Sequence, residues 1–268
     1  MSARPHVLVI AGSDSSGGAG LTRDVQALEA FGAGALGVVT AVTAQSDRRV
    51  LAIHAVPPAI LRAQIVGAFE ARIPDAIKIG MLVDRDTVEA VAGAIEEALK
   101  SGAGVATVPA PTVPIVIDPV LVSSSGSVLL DEEGRRALAE RLFPLTALLT
   151  PNVEEAAALL KLPAAQDAAE LDHQAQRLLD LGPRAVLLKG GHSPEPEAID
   201  RLARRGEPLR RIVSPRIRAS RRGTGCALAS AIAAQLAAGV GLEAACERAQ
   251  AYVAGGMGAR WGRVPASR

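Results

Sequence analysis

Aromatic residues make up only 2% of the 268-residue chain, which leaves few rings for base stacking and argues against single-stranded nucleic acid as a ligand. An excess of either charge is also missing. Twenty-nine lysines and arginines stand against 28 aspartates and glutamates, and the formal charge of +1 offers no global field to a polyanion or an anionic membrane. Two cysteines, Cys226 and Cys246, are too few for a disulfide framework or for a zinc site of their own. The longest small-apolar stretch, Cys226 to Leu242, is broken by Ser230, Gln235 and Gly239, so it reads as a buried helix rather than a membrane span. The opening residues Met1-Ser-Ala-Arg-Pro-His6 lead into an apolar run too short for a signal-peptide core, and the expectation is a cytoplasmic protein.

What is present is a composition of 49% hydrophobic and 21% charged residues, suited to one globular α/β domain with a large core. Short β-branched runs alternate with longer Ala/Leu segments of helical period, the pattern of parallel strands joined by crossover helices. Strands are expected at Val7-Ala11, Ala35-Val42, Val50-Val56, Ala76-Ile79, Ile115-Asp118, Ala147-Leu149 and Ala185-Lys189. Helices are expected at Gly20-Phe31, Pro58-Ala71, Arg85-Ser101, Asp131-Leu142, Val153-Leu160, Ala165-Leu181, Gly225-Ala238 and Leu242-Met257. Ala198-Leu202 and Leu209-Val213 flank a turn and predict a hairpin at the sheet edge. The Gly/Pro/Val-rich stretch Gly102-Pro114 reads as a surface connection.

Ligands of open parallel sheets gather beyond the carboxyl ends of the strands, and five unusual segments fall there. Ala11-Gly-Ser-Asp-Ser-Ser-Gly-Gly-Ala-Gly20 joins a strand to a helix through glycines at 12, 17, 18 and 20. That spacing fits neither a dinucleotide fingerprint nor a P-loop, and it serves either packing or a ligand. In Ser220-Arg-Arg-Gly-Thr-Gly-Cys226 the free amides of Gly225, Cys226 and Ala227 are expected to converge at the positive end of a helix, an anion hole for a phosphoryl group. The same partial charge should lower the pKa of Cys226 and make it a proton acceptor or nucleophile; the alternative is a buried small hydrophobe, the reading given to Cys246. Lys189, in Ala185-Val-Leu-Leu-Lys-Gly-Gly-His192, could reach nucleotide phosphates, whereas His192 reads as a turn residue. Ile117-Asp-Pro-Val120 and Thr150-Pro-Asn-Val-Glu-Glu155 offer carboxylates that could hold Mg²⁺, and Asn152 serves either there or as a helix N-cap.

In this order the segments resemble the hydroxymethylpyrimidine/phosphomethylpyrimidine kinase family, a branch of the ribokinase-like superfamily, nearly end to end. The matching pieces are the 11–20 turn with Asp24, Thr40-Ala-Val-Thr-Ala-Gln45, Lys78-Ile-Gly-Met-Leu82, Asp118-Pro-Val120, Thr150-Pro-Asn152 with Glu155, Lys189-Gly-Gly-His192 and Gly223-Thr-Gly-Cys226. The resemblance implies a single ribokinase-like kinase domain over residues 1–268, a three-layer α/β sandwich with a mostly parallel sheet, assembled as a homodimer. It implies ATP and Mg²⁺ as cofactors and a small pyrimidine alcohol, then its monophosphate, as substrates, with no nucleic acid or membrane as partner. By motif, Gly12, Asp24, Gln45, Met81 and Val120 would line the pyrimidine pocket, while Asn152, Lys189 and Thr224 would address the nucleotide. Asp118 and Glu155 would organise Mg²⁺. The γ-phosphate would lie over the turn that holds Gly223 and Gly225, and Cys226, which closes that turn, would be the base.

The family usually carries Thr-His before Gly-Thr-Gly-Cys, where this chain has Arg221-Arg222. Arg222, with Arg218 or Arg221, is expected either to favour the phosphorylated substrate or to form a solvated basic loop. The related reading is a pyridoxal kinase, disfavoured by Val122 where some such chains have a second cysteine. A non-catalytic sensor would be expected to lose the base or the lysine, and both are present.

Overall fold

The computed structural model describes residues 4–46, 48–102, 113–123, 125–191, 197–214 and 222–256. Nine strands form one sheet in the order β3-β2-β1-β4-β5-β6-β7-β8-β9. They are β1 (His6–Asp14), β2 (Gly34–Gln45), β3 (Val50–Ala55), β4 (Ala76–Ile79), β5 (Ile115–Ile117), β6 (Leu148–Leu149), β7 (Ala185–Leu188), β8 (Ala198–Arg204) and β9 (Arg210–Ser214). Strands β2, β1, β4, β5, β6 and β7 run parallel. The segment Val50-Val56 departs from the expected crossover pattern: β3 pairs antiparallel with β2, because the few residues between them permit only a tight turn. The expected edge hairpin is β8 against β9, joined to β7 antiparallel.

Among the described residues the eight α-helices are α1 (Gly20–Ala30), α2 (Pro58–Ala71), α3 (Arg85–Gly102), α4 (Glu132–Ala137), α5 (Val153–Leu160), α6 (Ala168–Arg177), α7 (Thr224–Ala237) and α8 (Leu242–Gly256). Successive side chains of a strand point to opposite faces, so a strand covered on both sides must be apolar throughout. In β1, Val7, Val9 and Ala11 enter the core under α1, α7 and α8, while Leu8 and Ile10 enter the core under α2 to α6. That alternation builds the three layers. Helix α7 can lie close over the centre of the sheet because its buried face is mostly alanine. Among the described residues no helix is long and apolar enough to cross a membrane.

Two expected helices are shortened by local chemistry. The Asp167 side chain accepts the Glu170 amide and starts α6 three residues later than expected, and the segment ends in a 3-10 turn at Leu178–Leu181. Asp131 likewise caps α4 at the Gly134 amide, and the helix widens into a π turn over Leu138–Leu142.

The chain leaves β1 through α1 to β2 on one side, then returns to place β4 on the other side of β1. The strand order therefore reverses between β1 and β4, and a crevice is expected there at the carboxyl edge.

Candidate active site

Gly12, Gly80, Asp118, Thr150 and Lys189 all follow or end parallel strands at this one edge. The turn after β1 is packed directly against the mouth of α7, and two glycines make that approach feasible. A Cβ on Gly20, whose φ is +58°, would lie 2.3 Å from the Gly12 carbonyl oxygen; one on Gly223, with φ +74°, would lie 2.4 Å from the Gly18 oxygen.

Helix α7 starts at Thr224, one residue earlier than expected, with Gly223 as a cap that offers no side-chain hydrogen bond. This shifts the anion hole. The Ala227 amide already donates to the Gly223 oxygen at 2.9 Å, so the amides open to a ligand are those of Thr224, Gly225 and Cys226.

The expected low pKa of Cys226 is overturned. Although the residue as a whole is half-buried, its sulfur faces buried groups, and burial pushes the thiol up to about 12 against the pull of the Lys78 ammonium. The carboxylates of Asp24 and Asp118 push in the same direction as burial, and a backbone contact from Gly20 opposes it. Burial thus dominates, and the resting sulfur is a neutral thiol beside the Asp118 carboxylate.

Beneath the thiol lies a buried ion pair. Lys78 Nζ donates to both carboxylate oxygens of Asp24 at 2.9 Å, and Ser230 Oγ, one helical turn past Cys226, donates to Asp24 Oδ1 at 2.8 Å. Both charged side chains are 0% exposed. Burial disfavours either charge alone, and the two-oxygen contact from Asp24 raises the Lys78 pKa and keeps the ammonium ionised. Both Asp24 oxygens are therefore engaged by Lys78 or Ser230, and the side chain presents no exposed surface.

Asp118 is 3% exposed at the end of β5, and Lys189 Nζ, from the end of β7, donates to its Oδ1 at 2.7 Å. Burial would raise the Asp118 carboxyl, but Lys189 and Lys78 hold it below the ordinary carboxylate range. Lys189 is also 3.9 Å from Glu155 Oε2. Burial, aided by Asp118 and opposed by Lys189, pushes Glu155 up to about 7. Asn152 and Glu155 form a capping box: Asn152 Oδ1 accepts the Glu155 amide at 2.7 Å, and Glu155 Oε2 accepts the Asn152 amide at 2.8 Å. The Leu121 backbone, in the loop after Asp118, opposes that rise.

Met81 and Val120 share a small apolar cluster with Ala41, Ile53, Val83 and Leu129, and a Cβ on Gly12 would lie 3.0 Å from Met81 Sδ. Gly12, Met81 and Val120 are thus brought together. Gln45 ends β2, its amide and carbonyl both bonded to Ser15 Oγ at 2.9 and 3.0 Å. His192, Arg218, Arg221 and most of the Gly102-Pro114 connection lie outside the described residues.

Two features are not apparent from the motifs alone. Lys78 stands in a matching segment with no role of its own, yet a lysine inside the apolar run of β4, a central strand, demands a buried partner. Arg222, expected either to favour the phosphorylated substrate or to form a solvated basic loop, is tied into the fold: its guanidinium donates to Asp14 Oδ2 at 3.0 Å, to Ser16 Oγ at 2.9 Å and to the Ser46 oxygen at 2.9 Å.

The arrangement of a helix mouth, a thiol, a lysine and two carboxylates around one spot suits phosphoryl transfer, and known proteins agree. Residues 14–263 match the family model described as phosphomethylpyrimidine kinase. A hydroxymethylpyrimidine/phosphomethylpyrimidine kinase of Rhizobium meliloti is 40% identical over 247 residues, covering 92% of this chain and 88% of that relative. The chain spans about half the length, 48% and 46%, of two bifunctional thiamine biosynthesis relatives, from Geobacter sulfurreducens and Arabidopsis thaliana. The crystal structure of phosphomethylpyrimidine kinase from Clostridium difficile 630 superposes with a TM-score of 0.78 at 32% identity, covering 93% of this chain and 98% of that one. An ADP complex of Bacillus subtilis pyridoxal kinase superposes with a TM-score of 0.81 at 27% identity, covering 93% and 90%. With a family match over nearly its whole length and the family's motifs gathered at one edge of a ribokinase-like sheet, the chain belongs to the phosphomethylpyrimidine kinase family.

Proposed function

We propose that the protein uses ATP to phosphorylate 4-amino-5-hydroxymethyl-2-methylpyrimidine and then its monophosphate, at the mouth of α7. The observation that carries this reading is the convergence of the uncapped amides of Thr224, Gly225 and Cys226 with Asp118 and Lys189 at one buried spot. A Cβ on Gly225 would lie 3.1 Å from Lys189 Nζ and 3.4 Å from Asp118 Oδ2, so the helix mouth and the charged pair address the same space.

Lys189 would leave Asp118 for the nucleotide phosphates as they arrive, with Thr224 and the Asn152 Nδ2 group as further donors. Asp118 and Glu155 are hard oxygen donors whose present cation is Lys189, a fit for Mg²⁺ held by one or two carboxylates and by substrate phosphates. When bound, the ion would neutralise phosphate charge. Gly12, Met81 and Val120 would supply an apolar wall for the ring, and Gln45 a polar contact.

Phosphoryl transfer passes through a loose transition state, so the alcohol needs its proton removed late and by a weak base. The resting sulfur already carries a proton. As the hydroxymethyl O–H proton passes to sulfur, the thiol proton would pass to the neighbouring Asp118 carboxylate, and the new O–P bond forms as the bond to the leaving ADP oxygen breaks. Gly223 and Gly225 serve by geometry, keeping the mouth free of side chains. A homodimer is the assembly we propose; Val42 and Leu51, 54% and 60% exposed on the β2–β3 hairpin, are apolar surface a second copy could cover.

A coupled ADP-release assay with the pyrimidine alcohol, its monophosphate and pyridoxal side by side tests the reading. We expect turnover of both pyrimidines, with kcat/KM for the alcohol at least about tenfold above that for pyridoxal. Preference for pyridoxal would transfer the protein to the other vitamin kinase activity, and no ADP release with any of the three would refute the reading.

A further inference from the structure

The mouth of α7 has to be held in place by something other than its own cap. A capping side chain would occupy the amides at the head of the helix, and Gly223, at the cap position, offers none. Gly223 presses instead on the turn after β1, where a Cβ on it would lie 2.4 Å from the Gly18 oxygen and 3.1 Å from the Ala19 Cα. Such packing limits how near the two segments come, but only directional bonds fix their register.

Arg222, the residue immediately before the cap, supplies those bonds. Its Nη2 donates to Asp14 Oδ2 at 3.0 Å, and its Nη1 donates to Ser16 Oγ and to the Ser46 oxygen, both at 2.9 Å. Ser16 Oγ donates in turn to Asp14 Oδ1 at 2.8 Å, so guanidinium, hydroxyl and carboxylate close a ring. The Ser16 amide reaches the same carboxylate oxygen at 2.9 Å. The guanidinium also lies across the glycine turn: a Cβ on Gly18 would be 3.5 Å from Nη1 and 3.7 Å from Cζ. With the Arg222 and Asp14 side chains 16% and 3% exposed, the pair is sheltered and less screened than an open surface pair. A planar fork of donors can hold a carboxylate, a hydroxyl and a carbonyl together, which a single ammonium does less well.

We propose that Arg222 is a positioning residue for phosphoryl transfer: it fastens the first turn of α7 to the turn after β1 and so aims the Thr224, Gly225 and Cys226 amides at the transferred group. It acts through the backbone that follows it and not by contact with a substrate. The inference rests on the proposed function in one respect, that these amides hold the migrating phosphoryl group. Donors aimed at charge that develops in the transition state show their misplacement in kcat more than in KM.

The test is steady-state kinetics of the full chain with ATP, the pyrimidine alcohol and its monophosphate varied separately, for the parent, Arg222→Ala, Arg222→Lys, Asp14→Asn and the double variant Arg222→Ala/Asp14→Asn. Arg222→Ala should lower kcat about 10- to 100-fold, the scale of misplaced preorganised donors, with each KM within about threefold of the parent. The loss should be equal for alcohol and monophosphate. Arg222→Lys should recover part of it, as should guanidinium ion added to Arg222→Ala at a non-denaturing concentration, against a matched sodium chloride control. The double variant should be no worse than the poorer single one, because both changes open the same ring of contacts. An unchanged kcat, a loss confined to the monophosphate, a rise in KM without a fall in kcat, or fully additive losses would each overturn the proposal. Should the parent release no ADP with either pyrimidine, it is the functional reading that fails. The fastening is then judged by hydrogen–deuterium exchange, where Arg222→Ala should speed exchange at Ala227 and Leu228 about tenfold and leave α8 unchanged, and unaltered exchange at both places would overturn it.

Discussion

Replacing Cys226 with alanine should lower kcat by roughly 10²–10⁴-fold, the range for losing a positioned proton acceptor, while KM for ATP changes little. The residual rate would come from what the substitution leaves intact, namely the amides at the head of α7, Lys189 and the alignment of the two substrates. The pH profile separates two roles for the sulfur. With the thiol pushed up to about 12, a mechanism that required a preformed thiolate would climb about tenfold per pH unit between about pH 7 and 10. Relay to Asp118, whose carboxyl is held below the ordinary range and so is ionised throughout, predicts no such climb. A Cys226→Ala protein within about threefold of the parent would remove the sulfur from the mechanism.

Lys78→Met should destabilise the protein by about 3–5 kcal/mol, because it leaves the Asp24 carboxylate buried with only Ser230 to answer it. Replacing both charges, as in Lys78→Met/Asp24→Leu, should return most of that loss, since the pair's own attraction largely offsets its desolvation. Urea unfolding of the two variants and the parent measures both effects. A Lys78→Met protein within about 1 kcal/mol of the parent would mean that Asp24 is neutral and the pair is no ion pair. The double variant would also lack the ammonium that pulls the Cys226 pKa down, so restored stability without restored activity would assign the pair to both structure and chemistry.

The strands and helices are legible in the sequence because their chemistry is local. The continuous apolar run of β1 and the alanine-rich run of α7 specify what they are without reference to the rest of the chain. Asp118, Asn152, Glu155, Lys189 and Cys226 are legible as candidates because each follows a strand end or opens a helix, where backbone groups and ligands meet. The direction of the Cys226 pKa is not, because the helix field is visible in a Gly-Thr-Gly-Cys turn whereas burial beside two carboxylates is made by segments about a hundred residues or more away. The burial of Asp24 is hidden for a similar reason: its partner Lys78 sits 54 residues further on, inside an apolar strand. The antiparallel course of β3 is readable from the shortness of the turn before it, which no crossover could span. Nothing local reveals the partners of Arg222, which lie 176 to 208 residues away.

The most direct measurement is a crystal structure of the protein with a non-hydrolysable ATP analogue, Mg²⁺ and the pyrimidine alcohol. The terminal phosphorus should lie within hydrogen-bonding reach of the Thr224, Gly225 and Cys226 amides, with Lys189 drawn from Asp118 onto the phosphates and the alcohol oxygen beside the Cys226 sulfur. A terminal phosphate seated elsewhere along the sheet edge, with Lys189 still bound to Asp118, would contradict the mechanism at its root.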